Sequence, residues 1–383
     1  MLRFLTAGES HGPGLVTIVE GLPAGLEIRS EGLATQLGRR RLGFGRGRRM
    51  MIEKDELEIL AGVRHGRTLG SPLAVVIRNT EWARWAEEMS PEPGDPKRVM
   101  ATPRPGHADL AGMLKYDTHD ARDILERASA RETAARTVAG YAAGQLLRQV
   151  DMSVLSHVVS IGSISVPVGT APGPGDLEAI DDSPVRVFAR ETEGAMTEAI
   201  EQAKANRDTL GGVVEILAFG APAGLGSHVH WDRRLDSQLA GALMSIQGIK
   251  AVEIGDGLAS AARPGSEAHD EIGFAGRQFV RQSDRAGGLE GGISTGQTLR
   301  MRAAMKPIST LMRPLKSVDV ATKEPADAFR ERSDVCAVPA AGVVAEQMVA
   351  YVLAAEVLRK FGGDTVADLV AAVTAYRTRL LAF

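Results

Sequence analysis

A hydroxyl and an imidazole stand side by side at Ser10 and His11, within Gly8-Glu9-Ser10-His11-Gly12. Glycines on both sides let the backbone turn sharply and let a ligand come close. A histidine changes charge near neutral pH, so this one can hold or give a proton at a bound group. Further on, Arg39, Arg40, Arg41, Arg46, Arg48 and Arg49 crowd together, with Gly43, Gly45 and Gly47 between them. Guanidinium forks suit phosphate and carboxylate groups, so the segment reads either as a mobile loop for a polyanionic ligand or as a solvated charged face. Prolines stiffen Thr102-Pro-Arg-Pro-Gly-His-Ala-Asp109 into an extended form that aims Arg104 and His107 at one place, unless it is a surface turn. Arg127-Ala-Ser-Ala-Arg-Glu-Thr133 puts Arg127 and Arg131 one turn apart beside Ser129, among alanines on a helix, where the two arginines either face solvent or line a pocket. The lysine and hydroxyls of Lys306-Pro-Ile-Ser-Thr310 suit a phosphate. Asp334 precedes a helix and is either its cap or a carboxylate aimed into a site.

Other signals are weaker. Gly8-x-Ser10-x-Gly12 fits the nucleophile elbow of serine hydrolases, but that elbow joins a strand to a helix. Here Pro13 and a β-rich run follow, which predicts a hairpin, and the Ser10 hydrolase is the minor alternative. Residues 286–296 are glycine-dense and offer backbone donors to a flat polar cofactor edge. They lack the lysine of a phosphate-binding P-loop and the strand–helix setting of a dinucleotide fingerprint. His228 and His230 are two ligands without a completing carboxylate pattern, so no metal site is expected.

The elements that must hold these residues follow from periodicity. Strands are expected at residues 2–5, 15–19, 58–63, 71–77, 154–168, 211–218, 252–257 and 299–305. Helices are expected at 31–41 with Ser30 as cap, at 121–150 as the longest, and at 197–208, 232–246 and 340–360. Residues 79–98 read as a polar surface excursion anchored by Trp82 and Trp85. The two halves repeat coarsely, so an internal structural duplication is expected within one domain spanning residues 1–383.

The 383 residues, 44% hydrophobic and 24% charged, are those of an ordinary globular protein with ample core. A net charge of −3 and 4% aromatics argue against nucleic-acid binding through the arginine cluster. One cysteine, Cys336, excludes an internal disulfide and a cysteine zinc cluster, which suits a reducing compartment. No uninterrupted apolar run reaches about 18 residues, and no basic-apolar leader opens the chain. A cytoplasmic setting without membrane or nucleic-acid partners is the expectation.

Together Ala-Gly-Glu-Ser-His-Gly at 7–12, Arg-x-Ser-Ala-Arg-Glu-Thr at 127–133 and Arg-Ser-Asp-x-Cys-Ala-Val-Pro at 332–339 resemble the chorismate synthase family. Arg-Pro-Gly-His at 104–107, Glu-Ile-Gly-Asp-Gly at 253–257 and Lys-Pro-Ile-Ser-Thr at 306–310 add to the likeness, which runs from the N-terminus into the helix expected at 340–360. Ala128 and Gly248 depart from the pattern, which usually has Ser and Ala there; both trim a side-chain contact and leave the backbone in place. The resemblance implies an α+β fold, a layered β-α-β sandwich, assembled as a homotetramer. It implies a lyase that converts 5-enolpyruvylshikimate 3-phosphate to chorismate and phosphate by anti 1,4-elimination, using reduced FMN. It assigns Arg40, Arg46, Arg104 and Arg131 to the substrate, His11 to the phosphate and His107 to the flavin side. Asp334 becomes a proton relay, with Ser10 and Ser129 in support. For FMN it implies Arg127, Ala128, Ser129, Gln247, Gly248, Gly291, Lys306, Pro307, Ile308, Ser309, Thr310 and Arg332. It places Arg40 and Arg46 where NADPH would serve as flavin reductant, and leaves open whether the protein reduces its own flavin.

Overall fold

A computed structural model describes residues 1–46, 56–276, 278–331 and 333–383. Arg48, Arg49 and Arg332 lie outside the described residues. The chain folds as two copies of one pattern. The first is strand β1 (Arg3–Ala7), strand β2 (Gly14–Glu20), helix α1 (Ser30–Arg41), strands β3 (Glu56–Ala61) and β4 (Leu73–Arg78), then helix α2 (Thr133–Arg148). The second is β5 (Ser153–Ile161), β6 (Gly212–Phe219), α3 (Leu235–Met244), β7 (Ile249–Ile254), β8 (Leu299–Met305) and α4 (Val338–Phe361). Each copy forms an antiparallel sheet, in the orders β1-β2-β4-β3 and β5-β6-β8-β7, with the two-residue strand Ile164–Ser165 added beyond β5. The expected duplication is therefore present as matching strand order, although no sequence repeat announces it.

The layers are sheet, helices, sheet. Helix α2 packs on β2, α4 packs on β5 and β6, and the two helices pack on each other. Leu146, Leu147, Val344 and Leu353 of these helices join Leu15, Leu73, Ile77 and Val214 of the strands in one continuous core. Burying such side chains is the main stabilising term, each contributing about 1.5–3 kcal/mol. The small residues of α2 let the helices meet closely. A Cβ added at Gly140 would lie 2.2 Å from Gln347 Cβ and 2.6 Å from its Cα.

Several sequence expectations need correction. Residues 121–150 are not one helix. The chain is helical over Arg122–Ala128, Ser129 is extended (φ −60°, ψ 141°), a 3-10 turn follows at Ala130–Glu132, and α2 begins at Thr133. Ser129 breaks the helix because its Oγ accepts from the Arg131 N–H, a local cap that competes with helix propagation. The longest helix is α4, with 24 residues. It is long and apolar enough to cross a membrane by composition, yet 83% of its most apolar window is buried as core. Ser30 is the first residue of α1 rather than its cap, which is Arg29. Periodicity gives no sign of the helices Asp109–Tyr116 and Val366–Leu381 or of the paired strands Ile272–Ala275 and Gln278–Arg281.

Two glycines of α2 test the close approach. Gly140→Ala should destabilise by roughly 1–3 kcal/mol, because overpacking outweighs the gain in helix propensity. Gly144, with nothing within 4 Å of an added Cβ, should gain up to about 1 kcal/mol as Gly144→Ala. Urea unfolding of both variants checks the opposite signs; equal effects would contradict the packing.

Candidate active site

Loops and helix ends from both copies meet at one cavity of about 450 Å³. The β1–β2 turn brings Ser10 and His11. The end of α1 brings Arg40, and the loop after it Arg46. The turn after Pro103 brings Arg104 and His107. The chain break before α2 brings Ala128, Ser129 and Arg131, with Thr133 from α2 itself. The turn after α3 brings Gln247 and Gly248, and the segment after β8 brings Lys306, Pro307, Ile308, Ser309 and Thr310. Asp334 and the first turn of α4 close the ring. Both long central helices thus start at the cavity, and their unsatisfied N–H groups and dipoles favour an anion there.

The charges reinforce that preference. Five permanent cations line the cavity, Arg40, Arg46, Arg104, Arg131 and Lys306, against the carboxylates of Glu331 and Asp334. The described part of the arginine segment is packed rather than mobile. Gly45 accepts from the Val335 N–H at 2.8 Å, Arg46 pairs with Asp334 at 2.9 Å, and Arg40 donates to Thr133 Oγ1 at 3.3 Å. Arg39 points the other way, pairing with Asp181 at 2.5 Å and with buried Glu346 at 2.7 Å. The acids that balance this segment come from distant parts of the chain, so its composition alone suggested a solvated loop.

Each histidine in the cavity rests on a buried carboxylate. His107 Nδ1 bonds Asp109 Oδ1, and Arg104 grips the same carboxylate through Nε at 2.9 Å and through its backbone N–H at 3.1 Å. Arg104 is also within 3.0 Å of His107 Nδ1, as its stiff segment predicted, and donates to Thr310 Oγ1 at 2.8 Å. Burial raises the Asp109 pKa, but the His107 hydrogen bond and the Arg104 guanidinium outweigh it and hold the carboxyl down at about 2. His11 Nδ1 lies 2.9 Å from Glu126 Oε1. Burial pushes Glu126 up, and His11 with Arg122 pulls it below the ordinary range. Ser129 Oγ donates to Ser10 Oγ at 3.3 Å, linking the two serines.

The remaining wall suits a flat, partly apolar ring. Leu125, Ile246, Met305, Pro307, Ile308 and Val344 supply apolar surface. Gln247 gives its amide Nε2 to Glu132 at 3.2 Å, and its buried Oε1 has no hydrogen-bond donor among the described residues. That oxygen is an acceptor ready for a ring N–H. Gly248 has φ +85°, and a Cβ there would lie 3.0 Å from Met305 Cε, so both the backbone and the space favour glycine at this turn. Lys306 Nζ reaches the Gly106 carbonyl, and Ser309 and Thr310 stand beside it.

Two expected residues fall outside the cavity lining. Arg127 turns outward, donating to the carbonyls of Gly8 at 3.1 Å and Thr6 at 2.9 Å, because the break at Ser129 separates it from Arg131. Gly291 sits at the tip of the hairpin Leu289–Glu290/Ile293–Ser294. Asp334 is not a helix cap; Ala337 holds that position in α4. Ser10 lies between two antiparallel strands, which removes the strand–helix elbow of a hydrolase. His230 pairs with Asp232 at 2.7 Å on the surface, and the described residues contain no metal-binding cluster. Sequence reading missed Asp109, Glu126, Glu132, Glu331 and Ser333. Asp109, Glu132 and Ser333 lie within the quoted motifs and Glu126 stands beside one, which is the signal that could have found them.

Comparison with known proteins agrees with this geometry. The family model described as chorismate synthase matches residues 2–358. The "Chorismate synthase" of Thermobifida fusca (strain YX) is 56% identical over 391 residues, covering all of both chains. That of Frankia casuarinae is 58% identical over 380 residues and 96% of each chain. A solved structure titled "Crystal Structure of Chorismate Synthase" superposes with a TM-score of 0.80 at 40% identity, covering 100% of this chain and 99% of that one. With the family match spanning both structural repeats and every cavity-lining segment, the chain belongs to the chorismate synthase family.

Proposed function

We propose that the chain eliminates phosphate from 5-enolpyruvylshikimate 3-phosphate to give chorismate, with reduced FMN bound in the same cavity. The observation that carries this reading is the concentration of five cations and two carboxylate-backed histidines around one cavity in a protein of net charge −3. A substrate with one phosphate and two carboxylates needs such a site. In the reaction the C6–H and 3-phosphate C–O bonds break. The C–H pair forms a new ring double bond, the existing double bond shifts by one position, and phosphate leaves with the C–O pair; one proton is taken from C6 and one is given to the phosphate oxygen.

Arg40, Arg46, Arg104 and Arg131 bind the anionic groups and neutralise charge as the C–O bond breaks. His11 gives a proton to the departing phosphate, a general-acid role. Ser10 and Ser129 hold the groups beside it. Asp334, fixed by Arg46 at 2.9 Å, relays the C6 proton. FMN fits the apolar wall, the Gln247 acceptor and the Lys306–Thr310 hydroxyl and ammonium groups, and when bound in reduced form it supplies an electron-rich ring beside the substrate. Ala128, Ser129, Gly248, Pro307 and Ile308 complete that wall, and His107, held by Asp109, adjusts proton sharing next to it. On the family resemblance we add Arg332 and NADPH as flavin reductant near Arg40 and Arg46. The same resemblance suggests a cytoplasmic homotetramer. Leu5 and Ile18, opposite each other on β1 and β2, are 70% and 42% exposed and give that assembly an apolar face.

Anaerobic incubation of the substrate with photoreduced FMN tests the reading. Chorismate and phosphate should appear in equal amounts, and oxidised FMN alone should give neither. No product from folded protein with reduced FMN would refute it. In that assay His11→Ala and His107→Ala should each lower turnover by about 10²–10⁴-fold, the usual scale for an acid–base group.

Asp109 sets an acid limit on the site. A carboxyl lowered from 3.8 to about 2 stabilises the fold fully above pH 4 and loses that contribution as pH falls toward 2. The shift corresponds to about 2 kcal/mol. Asp109→Asn should therefore cost the same at pH 5 and pH 7, and about half as much at pH 3, measured by urea unfolding. A cost independent of pH would contradict the ion pairing.

A further inference from the structure

Glu126 belongs to no motif that was assigned a role, yet it makes a closed set of contacts behind His11. Its Oε2 accepts from the His11 backbone N–H at 2.8 Å, and its Oε1 lies 2.9 Å from the His11 ring Nδ1. One carboxylate thus holds both the backbone and the ring of the same histidine. Arg122 Nη1 donates to Glu126 Oε1 at 2.9 Å from one helical turn earlier. The Arg122 guanidinium carbon also lies 5.0 Å from the centre of the Trp85 ring, and the other neighbour of that ring is His11, at 4.0 Å between centroids and 31° between planes. Trp85 comes from the polar excursion after β4, so a segment remote in sequence clamps the histidine against its carboxylate.

We propose that Glu126 is the positioning residue that fixes the tautomer and orientation of His11, with Trp85 and Arg122 closing the clamp. An ionised carboxylate only accepts hydrogen bonds, so Nδ1 must carry the proton. The acid–base work of the ring then falls to Nε2, and the stacked Trp85 keeps the ring plane from rotating. The same logic operates where an aspartate orients a catalytic histidine, and where an amide replacement there leaves geometry intact but gives the wrong tautomer. The proposal rests on His11 acting as the acid toward phosphate, and its test separates the two ideas.

Magic-angle-spinning NMR of the full-length protein labelled with 15N-histidine reads the tautomer directly, with His11 assigned from a His11→Asn sample. The parent should show neutral His11 only as the Nδ1–H form. Glu126→Gln is isosteric, but its amide can present either end to Nδ1, so both tautomers should appear. In that variant kcat should fall at least about 10-fold while KM for the substrate stays within about 3-fold. Glu126→Asp, which keeps the charge, should restore the Nδ1–H form and part of kcat. Glu126→Gln with a single Nδ1–H tautomer, or with parental kcat, would overturn the proposal. Parental turnover by His11→Ala would instead retire His11 as the acid, and the tautomer spectrum would still decide what Glu126 does.

Discussion

The close approach of α2 and α4 at Gly140 and Gln347 governs the rest of the molecule. Each helix ends one structural repeat and covers one sheet, so their contact joins the two halves into a single core. Because both begin at the same place, the contact also gathers two sets of unsatisfied backbone donors at one end of the helical layer. The segments that precede the helices, Ser129–Glu132 and Ser333–Ala337, bring Ser129, Arg131 and Asp334 to the site. A duplicated fold thereby builds one cavity from non-identical halves.

A cavity ringed by arginines would repel itself without compensation. The fold answers with Glu331 and Asp334 on the cavity wall and with further carboxylates placed behind it. Asp109 sits under Arg104 and His107, Glu126 under His11, and Glu132 under Gln247. Deeper still, Glu346 in α4 takes Arg39 at 2.7 Å and Arg186 at 2.9 Å, tying α1 to α4 through a buried pair of ion pairs. Burial pushes the Glu346 carboxyl up, and these two guanidinium groups pull it below its ordinary range. Removing one partner from such a cluster strands a buried charge and is costly. The arrangement leaves the cavity positive toward a ligand while Arg40, Arg46 and Arg104 keep anchored geometries, which is what stabilising a leaving phosphate requires.

How much of this was legible in the sequence follows from the range of the interactions. The strands of both sheets and helices α1, α3 and α4 follow local periodicity, and their positions came through within a few residues, except that the strand expected over 154–168 ends at Ile161 and turns back as Ile164–Ser165. The break at Ser129 did not, because a single side-chain cap overrides helix propensity in an alanine-rich run. That break decides the fate of two arginines: Arg131 enters the cavity, and Arg127 caps the β1–β2 turn outside it. Arg104 and His107 were readable because prolines fix their local geometry. Asp109 and Glu126 were not, because nothing local marks either acid until the tertiary fold seats it under a histidine. Trp85 was read as an anchor of a surface excursion, but its partner His11 lies far away in sequence.

The most direct test of the account is a crystal structure of the protein with FMN and 5-enolpyruvylshikimate 3-phosphate. The account predicts both ligands in the one cavity, the flavin against Met305 and Gln247, and the substrate phosphate within hydrogen-bonding distance of His11 Nε2, with Glu126 on Nδ1. A substrate phosphate held elsewhere, with His11 and its carboxylate out of contact, would contradict it.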